Sequence, residues 1–194
     1  NPEFVKAMVS TAVSVAADQL DSRSTAQLVR MEPLLRRFVE MEPENHDRKR
    51  DQAHYYLALF GANHAVKDFA NAERYASRAL DVLHSLPASA FDNPDQLRLV
   101  LTASDSLAIL AEERGDVEAR SAFSAEAANA ANQLEEKLGT DSATLICLAD
   151  LWARCETPEL CDPLRAESLA LRCIELSHGT IPRSYYALAL SLEA

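Results

Sequence analysis

Apolar positions in this chain recur every three or four residues rather than alternating, the periodicity of helices that bury one face. Phe69, Ala72, Ala76, Ala79, Leu80 and Leu83 fall on one stripe, with Asn71, Arg74, Arg78 and Asp81 mostly on the other side. Punctuation divides the periodic stretches. Asn93-Pro94-Asp95-Gln96 reads as an N-cap, a proline in the first turn and a glutamine placed to bond back to the cap. Gly115-Asp116 and Gly139-Thr140-Asp141 each end one helix and cap the next. Asp162-Pro163 starts another, and His178-Gly179 is a stop. The pattern predicts nine helices, near 5–20, 23–41, 47–66, 68–85, 94–114, 116–138, 141–155, 163–177 and 182–193. Pro33 predicts a kink or a split in the second. The connections are short, so consecutive helices should pack antiparallel.

The helices also repeat. Four of them carry a large residue followed at once by a small one: Phe60-Gly61, Leu107-Ala108, Leu148-Ala149 and Leu188-Ala189. The separations are 47, 41 and 40 residues. Leu57, Ser104, Leu145 and Tyr185 stand three before each pair, and His64, Ala111, Trp152 and Leu192 three after the small residue. A small residue lets a second helix approach closely while the large one fills the space beside it. The second helices supply matching small residues, Ala72 with Ala79 and Ala166 with Cys173, and less cleanly Ala119 or Arg120 with Ala127.

This arrangement resembles the tetratricopeptide repeat family over residues 47–194. The stretch Asp68-Phe69-Ala70-Asn71-Ala72-Glu73-Arg74-Tyr75-Ala76-Ser77-Arg78-Ala79-Leu80 is similar to the family's second helix with its preceding turn. Gly115-Asp116 resembles its usual turn between helices. The repeats are longer than the family's ~34 residues, and Thr157-Pro158-Glu159-Leu160 is an extra loop. The resemblance implies an all-α fold, a right-handed superhelical stack of antiparallel helix pairs. Its parts would be an N-terminal pair at 5–45 and repeats at 46–90, 91–140 and 141–180, with a terminal half repeat at 181–194. The unpaired last helix is a solvating cap or the point where the array continues.

In the resembled family the first helices line a concave groove that takes peptides or helices. The groove positions, five before, two before and two after each large residue, fall here on Tyr55, Ala58 and Ala62; Thr102, Asp105 and Ile109; Ala143, Ile146 and Asp150; Arg183, Tyr186 and Leu190. Glu112 and Glu113 lie one turn further along. Tyr55, Asp105, Ile109, Glu112, Asp150, Arg183 and Tyr186 are the candidate contacts. Apolar anchors among carboxylates suit a partner segment with Lys or Arg between apolar residues. The Lys and Asn side chains that would grip a free C-terminal carboxylate are missing from these positions.

Charge agrees. The chain carries 19 Lys and Arg against 30 Asp and Glu, a net charge of −11, which disfavours nucleic acid and anionic membrane. The expected partner is another protein, or a second copy of the chain. Apolar residues at 48% and charged ones at 25% fit a soluble domain, and a cytoplasmic location is expected. Asn1-Pro2-Glu3-Phe4 has no initiator Met and reads as an expression scar.

Catalytic or metal chemistry finds little support. The chain has no phosphate-cradling glycine loop and no nucleophile elbow. Cys147, Cys155, Cys161 and Cys173 lack zinc spacing, and no two of the five histidines stand four apart on a helix face. Cys155 and Cys161 flank the extra loop and could bridge in an oxidising compartment, but buried reduced thiols are favoured, with Cys173 in the core and Cys147 partly buried. Arg36, Arg37, Arg48, Lys49 and Arg50 are the basic clusters and read as solvated faces. The expectation is a non-enzyme without cofactor or metal. An architectural or oligomerisation arm of a larger protein is the alternative, ahead of a thiol- or metal-dependent unit.

Overall fold

The computed structural model describes residues 22–138, 141–154 and 161–178, with Ala7 alone before them. Seven α-helices appear there: α1 (Ser22–Glu40), α2 (His46–Ala65), α3 (Phe69–His84), α4 (Pro94–Arg114), α5 (Val117–Leu138), α6 (Ser142–Arg154) and α7 (Pro163–Leu176). A 3₁₀ turn, Ala88–Asp92, joins α3 to α4, and no strand occurs among the described residues. The chain is all-α. The helices expected near 5–20 and 182–193, and the loop at 157–160, lie outside the described residues.

Local chemistry sets the boundaries. Side-chain oxygens of Asn45, Asp68, Asn93, Asp116, Asp141 and Asp162 accept backbone N–H bonds at the starts of α2 to α7. Each satisfies a donor that the first helical turn leaves without a partner. Asn71, through its side chain and then its amide, holds the Asp68 carboxyl below its ordinary value. That cap therefore stabilises α3 above the usual carboxylate range and is lost as pH falls through the depressed value. Gly115 ends α4 in the left-handed conformation at φ 70°, with the Asp116 amide donating to the Ala111 carbonyl at 2.9 Å. Pro33 does not split the chain into two elements, for α1 runs through it. It is exposed, as is Val29 one turn back, whose carbonyl a proline at this position leaves without its helical N–H.

The largest interfaces are α2 on α3, α4 on α5 and α6 on α7. The connections within these pairs are short, so each second helix must turn back along its first. Narrower contacts join α1 to α2, α3 to α4, α5 to α6, and α2 to α4. Alanine makes the close packing possible. Ala72, Ala76 and Ala79 of α3, Ala103, Ala108 and Ala111 of α4, and Ala127 and Ala131 of α5 are all fully buried. Leu59, Leu83, Leu134, Leu145 and Leu148 fill the space between them. His64 takes the place of a packing aromatic, its ring 5.5 Å from Phe60 and 5.6 Å from Phe69.

One packing expectation fails. Gly61 is half-exposed, and a Cβ added there meets nothing within 4 Å. It does not admit a neighbouring helix. The buried positions of α2 match those of α4 at an offset of 48 residues, with Leu59 and not Phe60 opposite Leu107. Gly61 thus stands on the open side of a helix, where glycine only adds unfolded-state freedom. Gly61→Ala is expected to raise stability by about 0.5–1 kcal/mol, read from the urea midpoint. A loss of stability would mean that a neighbour does approach this position.

Candidate functional site

The open face of the first helices is built from α2 and α4, with one residue of α6. On α2, Asp47, Asp51, His54, Ala58, Gly61 and Ala65 are exposed or half-exposed at helical spacing. On α4 the corresponding stripe is Asp95, Leu99, Thr102, Ile109 and Glu113, with Asp105 beside it. From residue 144 to 153, α6 buries every side chain except that of Cys147.

A cleft of about 410 Å³ crosses these helices near their N-terminal ends. Leu99, Leu101, Leu134 and Leu148 give it apolar walls. Arg50 and His54 of α2, Arg98 and Thr102 of α4, and Thr144 and Cys147 of α6 supply its polar lining. The arginines are already engaged. Arg50 pairs with Asp47 at 3.0 Å, and Arg98 with Asp95 at 3.1 Å and Asp141 at 2.9 Å, with a further bond to the Thr144 hydroxyl. Their carboxylates stand further out: side-chain exposure is 24% for Arg50 against 75% for Asp47, and 36% for Arg98 against 55% for Asp95 and 43% for Asp141. In each pair the carboxylate is the more exposed partner, and Asp95 itself lines the cleft beside Arg50 and Arg98.

The expected contacts divide accordingly. Asp105 and Ile109 are half-exposed on the α4 face, and Glu112 is exposed and pairs with Arg120 at 2.5 Å. Tyr55 is not on the open face. It is fully buried, and its hydroxyl donates to the Leu28 carbonyl of α1. The one-residue change of register explains this: a step of one residue turns a helix by about 100°, bringing His54 to the position expected of Tyr55. Asp150 is 4% exposed and also lies inside. Thr144, Leu145, Ile146, Leu148, Leu151 and Trp152 cover the helix on all sides, the mark of an enclosed helix. Arg183 and Tyr186 lie outside the described residues. Arg50, His54, Arg98, Thr144 and Cys147 were not among the contacts expected from sequence. The pairing of Arg98 with Asp141 spans 43 residues and leaves no local signal.

Two cysteine expectations change. Cys147 is an exposed free thiol, and Cys161 is disulfide-bonded, while Cys173 is a buried thiol as its small-residue position implied. Among the described residues, no group of three or more His, Cys, Asp or Glu is arranged to hold a metal, and no helix is long and apolar enough to cross a membrane.

Beneath α1, burial raises the Tyr55 and Tyr75 hydroxyls above the ordinary phenol value of 10.0, and the Glu32 carboxylate adds to both shifts. The unfolded chain ionises these phenols first, so their stabilising contribution is complete below pH 10 and lost as pH rises beyond it. The heat-unfolding midpoint is expected to fall between about pH 9 and 11 and less steeply in Tyr55→Phe. Identical alkaline slopes would remove Tyr55 as a cause.

No family model and no curated protein matches this sequence. Among solved structures, BtubC (BKLC) from P. vanneervenii is similar at a TM-score of 0.42 and 14% identity, covering 88% of this chain and 82% of that one. A likeness of that degree carries no argument about family or function.

Proposed function

We propose that this chain is a tetratricopeptide-like scaffold, a right-handed stack of helix pairs that holds a peptide or helix of another protein against its first helices. The observation that carries the reading is the cleft, whose apolar walls stand beside arginines paired to more exposed carboxylates of α2, α4 and the start of α6. That chemistry suits a segment with an apolar anchor and flanking Lys or Arg. A stack of helix pairs accounts for the site, because it sets first helices side by side and leaves their outer faces open. The chain acts by binding, with no catalytic step. The cytoplasmic location expected from sequence would require the Cys161 disulfide to be reduced in the cell.

A second reading, an architectural or oligomerisation arm, draws on α7. Leu164 is 78% exposed and Leu171 45%, one heptad apart on the same side.

The test uses Thr102→Trp, which fills the cleft from an exposed position. A partner captured by the wild-type chain should be held at least ~10-fold more weakly by the variant, about 1.4 kcal/mol, with circular dichroism unchanged. Equal binding by both proteins would move the interface elsewhere, and self-association without a partner would favour the arm.

A further inference from the structure

A second surface lies on α1 and α3, which contribute no residue to the cleft. Three guanidinium groups gather there around one carboxylate. Arg36 donates to Glu32 at 2.9 Å and Arg78 at 2.7 Å, while Arg74 donates to the Tyr75 hydroxyl at 3.1 Å, which itself donates to Glu32 at 3.3 Å. The carboxylate sits behind the cations: side-chain exposure is 11% for Glu32 but 54% for Arg36 and 37% for Arg78, and Arg74 is exposed. Arg74 lies 4.8 Å over the Tyr75 ring, with Arg78 5.8 Å from that ring and 6.0 Å from Tyr56.

Holding α1 to α3 requires Arg78 and Glu32, one charge of each sign. Arg36 and Arg74 add positive charge that the cluster does not neutralise. Glu73 is committed to Arg114 of α4, and Asp68, whose carboxyl Asn71 holds low with help from the Arg74 charge, is committed to capping α3. Arg30 and Arg37, exposed on α1, have no ion pair among the described residues. Within the cluster itself, three guanidinium groups face one carboxylate, in a chain of net charge −11. Guanidinium groups already held by rings and hydrogen bonds lose less entropy on meeting a carboxylate, and each offers a planar fork that fits one.

We propose that this arginine face docks an acidic segment of a partner protein, with Asp and Glu carboxylates bridging Arg36, Arg74 and Arg78. A protein segment fits better than a single phosphate. Arg36 and Arg78 turn inward to Glu32 and Arg74 to the Tyr75 hydroxyl, and the three come from two helices. An anionic membrane would meet the repulsion of the whole acidic chain. The surface is independent of the cleft, and one scaffold could hold a basic segment and an acidic one together.

The probe is a fluorescein-labelled twelve-residue peptide of alternating Glu, Asp and Leu, titrated against the full chain by anisotropy. Arg36→Gln/Arg74→Gln should bind it at least ~10-fold more weakly with unchanged circular dichroism, because Arg78 remains on Glu32. Thr102→Trp should bind it as the wild type does, which separates this surface from the cleft. Binding should also weaken steeply from roughly 0.05 to 0.5 M salt. No binding by the wild type, equal binding by the double variant, or binding only to a phosphorylated peptide or to anionic vesicles would overturn the proposal.

Discussion

Leu59→Ala is expected to destabilise the protein by about 3 kcal/mol, and Phe60→Ala by about 1. Leu59 is fully buried between α2 and its neighbours, so its loss removes transfer free energy and leaves a cavity. Phe60 is only partly buried and touches the core from its edge, against His64. The large-then-small pattern predicts the reverse order, since it names Phe60 as the space-filling residue. Urea denaturation of the two variants reads the difference directly. Equal costs, or a greater cost at Phe60, would restore the 47-residue spacing and return Tyr55 to the open face.

Asp150→Lys should abolish folding or cost at least about 3–5 kcal/mol, while Asp105→Lys should stay within about 1 kcal/mol of wild type. The physical difference is solvent. Asp105 is half-exposed, and a lysine there can extend into water. Asp150 is 4% exposed on α6 and already has an interaction of its own, which a longer side chain of opposite sign would lose inside the protein. A thermal scan of both proteins separates the cases, and a folded Asp150→Lys with a near-native midpoint would contradict the enclosed position of α6. Of the two, Asp105 is therefore the site for reversing charge on the proposed binding face. Loss of a partner by an Asp150 variant would report unfolding.

Where sequence reasoning succeeded, it followed interactions contained within one turn. Asn93-Pro94-Asp95, Gly115-Asp116 and Asp162-Pro163 each complete their hydrogen bonds within a few residues, so their meaning did not depend on the rest of the chain. Thr102 and Ile109 could be placed on an open side because Leu107 and Ala108 are both buried as the repeat requires. The same rule failed on α2. Leu59, Phe60, Gly61 and Ala62 offer two overlapping large and small pairs, and apolarity alone does not choose between them. On α6 the rule gave outward positions to Ile146 and Asp150, although that helix is apolar nearly all round.

The sequence by itself determined the helical class, the ends of the helices from α2 onward and the net acidity, because capping, periodicity and charge are local or additive properties. Tertiary structure alone decided which side of α2 faces out, that α6 is enclosed apart from Cys147, and that Arg50 and Arg98 line a cleft, paired to carboxylates more exposed than themselves. It alone gathered Arg36, Arg74 and Arg78 around Glu32. Those outcomes depend on helix rotation and on pairings such as Arg78 with Glu32, 46 residues apart. A rotation of one residue reverses inside and outside at almost no change in local pattern, and only the packing of whole helices against one another selects between the two.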